Sequence, residues 1–150
     1  MEKSENVVNQ KGPLSVGELS DKLKNVYSFC GIIKMSDIDK IRFNESPISF
    51  VVYYKDHWLG IFLSSKELDI MDSTHSAFEE PCPEFINFLY NNRVKKIRVN
   101  PVLQSKTTNI CGYYCLYFVI ERNNGKKYNS ILQKFTNNLQ LNDYIVSRSI

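Results

Sequence analysis

Between Ile48 and Met71 the chain passes through three apolar stretches, Ile48 to Tyr54, Trp58 to Leu63 and Glu67 to Met71, parted by short polar pairs. β-branched and aromatic residues dominate each stretch, which predicts three strands, and the short separations predict a meander. With Lys55-Asp56 and Ser64-Ser65 as two-residue turns, Tyr54 faces His57, Val52 faces Leu59, Ile61 faces Leu68, Leu59 faces Ile70 and His57 faces Asp72. Alternate residues of a strand share a side. The register therefore gathers Ile48, Phe50, Val52, Leu59, Ile61, Leu63, Leu68 and Ile70 on one face, and a one-residue slip would scatter them. Neither turn has the Asn-Gly or Asp-Gly chemistry that tight hairpins prefer.

Elsewhere the period is helical. Ser15 with Glu18 three residues on makes a capping box, and Leu19, Leu23 and Val26 follow at helical spacing, so a first helix is expected to about Tyr27. After the Pro81-Cys82-Pro83 breaker, Phe85, Phe88 and Leu89 mark a short amphipathic helix that ends at Asn91-Asn92 and packs on the sheet. Arg93 to Val99 reads as another strand, with Lys96 and Arg98 facing water. Cys111 to Ile120, CGYYCLYFVI, is almost uniformly apolar and stops at Asn123-Asn124-Gly125, the pattern of a buried helix with its terminator. Ser130 to Phe135 gives one more short helix, and Leu139 to Val146 docks back before the end frays. Met1 to Pro13 is polar without periodicity and is expected to be a flexible arm before a single α+β domain over 14–150.

At 150 residues and 43% hydrophobic, the chain suits one core. Its 19 basic and 16 acidic residues leave a charge of +3, too mild to define a partner. No apolar stretch approaches the ~20 residues that span a bilayer, and the polar start lacks a signal-peptide core, so an intracellular protein without membrane association is expected. Cys30, Cys82, Cys111 and Cys115 are too sparse for a disulfide framework and read as reduced thiols. Neither Cys82 nor His75 has a partner at zinc-ligand spacing, so no metal is expected.

The order His57-Trp58, Asp72, Gln104, Cys111-Gly112 supplies a base, its orienter, an oxyanion donor and a nucleophile. Cys111 opens the buried helix, where unpaired N–H groups and the positive end of the macrodipole favour a thiolate. An imidazolium at His57 would stabilise that thiolate, and Asp72 would take the other ring N–H and fix the tautomer. Gln104, seven residues before Cys111, can reach over the attacked carbonyl, with the Cys111 N–H as second donor. The competing residues have weaker placements. Asp69 falls on the opposite sheet face from Asp72, His75 lies in a surface loop, and Cys115 and Tyr114 read as helix core. Cys30-Gly31 repeats the dipeptide without a buried run after it and reads as core or loop.

HWLGIF, LDIMDS, Gln104 and CGYYCLYFVIERNNGKKYNSILQKFTNNLQLNDYIV resemble adenovirus-type cysteine proteases (adenain-like), above all those of Polinton/Maverick elements and related double-stranded DNA viruses. The resemblance runs from about Phe29 to Val146 and includes FCGIIKMSDI. It implies a permuted papain-like (SUMO-protease-like) fold, with a mostly antiparallel sheet packed on a central helix that starts at the nucleophile. It also implies a monomeric thiol endopeptidase with His57, Asp72, Gln104 and Cys111 as its site. Such enzymes cleave next to glycine in viral capsid precursors, in the nucleus or virus factory and in the virion. Asp72 stands where adenovirus enzymes carry glutamate, a state shared with SUMO/ubiquitin-like isopeptidases, which form the alternative reading. A binding module that keeps the fold without activity is the alternative from another class. The family needs no cofactor, although DNA or a viral peptide stimulates some members. No cysteine here has the spacing for a disulfide-linked peptide, and DNA would use Arg93, Lys95, Lys96 and Arg98, residues that equally suit a solvated strand edge.

Overall fold

Two hairpin turns set the frame of the molecule. Lys55 and Asp56 have φ of 52° and 59°, and Ser65 and Lys66 have φ of 52° and 68°. Positive φ at both central residues matches the right-handed twist of the flanking strands, even without glycine. The computed structural model describes residues 12–44, 46–77 and 82–149; most of the Met1 to Pro13 arm, and Pro81 of the predicted breaker, lie outside them.

The sheet has five strands in the order β1 (Phe29–Lys34), β2 (Ile48–Tyr54), β3 (His57–Ser64), β4 (Glu67–Met71) and β5 (Lys96–Val99). The central meander is antiparallel as expected, and the two outer pairings, β1 with β2 and β4 with β5, are parallel, so the sheet is mixed. Parallel neighbours need a crossover. A 3-10 turn, Met35–Lys40, lies in the first, and helix α2 (Pro83–Asn91) in the second.

The β2/β3 register is the expected one, with Tyr54 opposite His57 and Val52 opposite Leu59. The β3/β4 register differs by two residues: Leu63 faces Leu68 and Ile61 faces Ile70, because the turn is Ser65-Lys66 rather than Ser64-Ser65. This register sets Leu63 against an apolar partner, where the other would have set it against Lys66. An even slip preserves faces. All eight residues assigned to one face accordingly share one core with Phe85 and Phe88 of α2 and Met35 and Ile38 of the 3-10 turn.

Val51, Trp58, Phe62 and Met71 point the other way, onto α3 (Cys111–Asn123), which also meets α1 (Val16–Leu23), α4 (Tyr128–Leu132) and α5 (Leu139–Arg148). Ser15 and Glu18 form the capping box at α1, although the helix ends at Leu23 and Val26 packs from the turn beyond it. α4 begins two residues earlier than Ser130 because Tyr128 inserts into the core and donates its hydroxyl to the Ile70 carbonyl. Cys30, expected in core or loop, lies exposed in edge strand β1. β5 is shorter than Arg93 to Val99, and Arg98 does not simply face water. It bonds Asp69 at 2.8 Å and Glu67 at 2.5 Å, and Arg122 of α3 bonds the same buried Asp69 at 3.0 Å, so one carboxylate joins β4, β5 and α3.

α3 sits close to β3 because Gly60 has no side chain: a Cβ there would lie 2.9 Å from Cδ2 of the fully buried Phe118 and 3.5 Å from the Cys115 Cα. Gly60→Ala should therefore destabilise the protein by about 1–3 kcal/mol through overpacking. Urea unfolding with an unchanged midpoint would contradict this account of the helix seat.

Candidate active site

The α3 helix begins at Cys111, no side chain caps it at Ile110, and the Ile110 carbonyl accepts the Tyr113 and Tyr114 N–H groups. Cys111 is buried, and its Sγ accepts a hydrogen bond from the Trp58 backbone N–H at 3.4 Å. That bond ties the helix tip to the first residues of β3. Trp58 in turn lies against Tyr53, ring centres 4.8 Å apart, and the Tyr53 hydroxyl is held by Asp56 at 2.6 Å.

The His57 side chain is within hydrogen-bonding reach of Cys111. Nε2 lies 2.7 Å from Asp72 Oδ1, which leaves Nδ1 as the ring nitrogen for Cys111. Burial works against the imidazolium, yet the hydrogen bonds to Asp72 and Cys111 and their charges outweigh it and raise His57 to about 9. Burial likewise opposes the ionised Asp72, but the hydrogen bonds from His57 and from the Ala77 N–H hold its carboxyl below the ordinary value.

The observed register does not make His57 and Asp72 a cross-strand pair. β4 ends at Met71, opposite Gly60, and Asp72 lies in the turn that follows. Asn100 sets that turn: its side-chain oxygen accepts from the Asp72 N–H at 2.7 Å, and its amide donates to the Asp72 carbonyl at 2.8 Å. Asp72 Oδ2 accepts from the Ala77 N–H at 3.0 Å, and Thr74 Oγ1 is 3.3 Å from His57 Nε2. With both its oxygens and its backbone engaged, the carboxylate has one orientation available.

Gln104 is buried next to this turn. The Ser73 carbonyl accepts the N–H groups of Leu103 and Gln104 at 2.8 and 2.9 Å, and the Ser73 hydroxyl donates to Gln104 Oε1 at 2.5 Å. The amide nitrogen is thereby turned away from Ser73, toward the Thr108 carbonyl at 2.9 Å. The same nitrogen is 3.3 Å from Thr108 Oγ1, the longer of its two contacts with that residue.

His57, Asp72 and Cys111 thus meet, and Gln104 is held by the residue after Asp72 on the loop that enters α3. Asp69 is in the Arg98/Arg122 ion pairs, His75 is exposed, and Cys115 is fully buried behind the sulfur. Ser73, Asn100, Thr108 and Asp143 were not singled out from the sequence. Only Ser73 carried a local signal, its place directly after Asp72. The others act across 28 or more positions or within an irregular loop, where no periodicity points to them.

The fold matches that of the ASFV pS273R protease, an adenain-like architecture, with a TM-score of 0.65 at 14% identity over 93% of this chain and 68% of that one. A selenomethionine crystal structure of the same ASFV protease matches with a TM-score of 0.59 at 16% identity and the same coverage. No protein-family model and no curated protein matches the sequence. At such identities the likeness defines the fold alone.

The His57 ring protons should titrate by NMR at about pH 9, and Asp72→Asn should move the midpoint down toward the ordinary imidazole range. Because the folded value is raised, the stabilisation is full below about 6.5. It is lost as pH climbs through about 9. A wild-type midpoint near 6.5 would remove the proposed charge pair.

Proposed function

We propose that this protein is a thiol endopeptidase of the adenain type, cleaving peptide bonds next to glycine in viral capsid or other structural-protein precursors. The observation that carries the reading is the line from Asp72 through the His57 imidazole to a sulfur at the tip of a buried helix. A binding module has no need of this arrangement, since each buried polar group costs desolvation unless paired.

In the proposed reaction the Cys111 thiolate adds to the scissile carbonyl carbon. The carbonyl oxygen takes up the negative charge and accepts from the Cys111 N–H and from a Gln104 amide N–H that gives up its long contact with Thr108 Oγ1. The His57 imidazolium gives its proton to the departing amine as the C–N bond breaks, leaving a thioester on Cys111. Neutral His57 then takes a proton from water, the resulting hydroxide adds to the thioester, and expulsion of the sulfur restores the thiolate and imidazolium. Asp72 keeps the ring in one tautomer and stabilises its charged form throughout.

Gly112 lies just behind the nucleophile, where an added Cβ would be 3.3 Å from Leu14, so the helix start has little room to move. Cys30 and Cys115 are poor rivals: Cys30 lies exposed in edge strand β1, away from the helix start, and burial pushes the Cys115 thiol well above its ordinary range.

Incubation with viral capsid precursors and with SUMO or ubiquitin fusions tests the reading, with Cys111→Ala as control. Cleavage of a precursor beside glycine is expected, cut by wild type only. Cleavage of the modifier fusion alone would assign the isopeptidase alternative. Iodoacetamide at mild pH should label Cys111 selectively; uniform slow labelling with no cleavage would leave the inactive module. Gln104→Ala should lower kcat by about 100-fold or more while preserving the fold.

A further inference from the structure

The loop that carries Gln104 is gripped from behind as well as from the Ser73 side. Asp143, in the C-terminal helix α5, is buried, and its carboxylate accepts from the Tyr114 hydroxyl at 2.7 Å and the Thr108 hydroxyl at 3.1 Å. Its two oxygens also lie 3.4 and 3.3 Å from the Ser105 N–H. The neighbouring Asn142, fully buried, donates to the Leu103 carbonyl at 3.1 Å and to the Thr136 carbonyl at 2.8 Å.

These partners belong to two bodies. Tyr114 is in the first turn of α3, whereas Ser105 and Thr108 are in the loop, and Thr108 holds the Gln104 amide through its carbonyl. An oxyanion site built from the Cys111 N–H and the Gln104 amide takes one donor from each body. Its spacing therefore depends on what joins them: the Tyr114 hydroxyl reaches the Leu103 carbonyl at 3.2 Å, and Asp143 bonds to both bodies at Tyr114 and Thr108.

We infer that Asp143 is a positioning residue for the oxyanion site: it clamps the 105–108 loop to the first turn of the nucleophile helix and so sets the Gln104 amide relative to the Cys111 N–H. The inference rests on the proposed thiol-protease reading. Asp143 bonds neither the sulfur nor the imidazole, and its effect passes through Thr108. Docking α5 alone would not require a buried carboxylate. Val146, fully buried in the same helix, does that without the desolvation that pushes the Asp143 carboxyl above its ordinary value.

Asp143→Asn keeps the size but replaces one acceptor oxygen with a donor, so Tyr114 and Thr108 cannot both be retained as donors. With a fluorogenic peptide carrying glycine before the scissile bond, kcat should fall roughly 10- to 100-fold with KM little changed, the size expected from an ångström-scale misplacement. Iodoacetamide alkylation of Cys111 should keep its wild-type rate, since the His57 pair is not touched. In a Gln104→Ala background the same substitution should cost less than about threefold, because coupled residues are not additive. Val146→Ala serves as the control, expected to lower the melting temperature without the kcat loss.

Wild-type kcat in Asp143→Asn, full additivity with Gln104→Ala, or a kcat loss that Val146→Ala reproduces would overturn the inference. If the wild-type protein cleaves nothing, the enzymatic reading fails separately. The clamp is then decided by the Gln104 side-chain amide resonance, which should shift in Asp143→Asn and which, if unmoved, rules the clamp out.

Discussion

The approach of one helix to one strand governs the rest of this structure. Gly60 has no Cβ, so the α3 backbone at Cys115 and the Phe118 ring come down onto β3. One turn toward its N-terminus the same helix places Cys111 Sγ on the Trp58 N–H. His57 is the preceding residue of that strand, and its side chain also interacts with Cys111. A side chain at position 60 would lift the helix and separate the pair without altering any polar residue.

Around that contact the polar groups are held by a frame whose members are buried and paired. Asp72 and Ser73 are consecutive, and one orients the imidazole while the other orients the Gln104 amide. A shift of this single turn would move both. Asn100 bonds the turn through both its oxygen and its nitrogen. In a low-dielectric interior such a network gains rigidity only when each donor and acceptor is met. The Asp69 carboxylate, shared by Arg98 and Arg122, ties β4 to β5 and to the far end of α3 and lies outside the site.

The likeness to the ASFV protease is one of architecture, at an identity where side-chain roles do not transfer by descent alone. What supports the proposed reading is local: a sulfur at an uncapped helix start, an imidazole raised to about 9 and a carboxylate held at both oxygens.

The chain's own pattern determined which residues face which core, where the buried helix starts and stops, and the capping box of α1. These depend on periods of 2 and 3.6 and on caps, all expressed within a few residues. It also brought His57, Asp72, Gln104 and Cys111 forward, since each residue type suits one part of acyl transfer. Tertiary structure alone decided the β3/β4 register, because a slip of two residues leaves every face unchanged and only the backbone at Ser65-Lys66 discriminates. It likewise decided how Asp72 reaches His57, through a turn set by Asn100, and how Thr108 and Asp143 hold the Gln104 loop. Those contacts join irregular segments far apart in sequence or within one loop, so no local period encodes them and they exist only once the chain has packed.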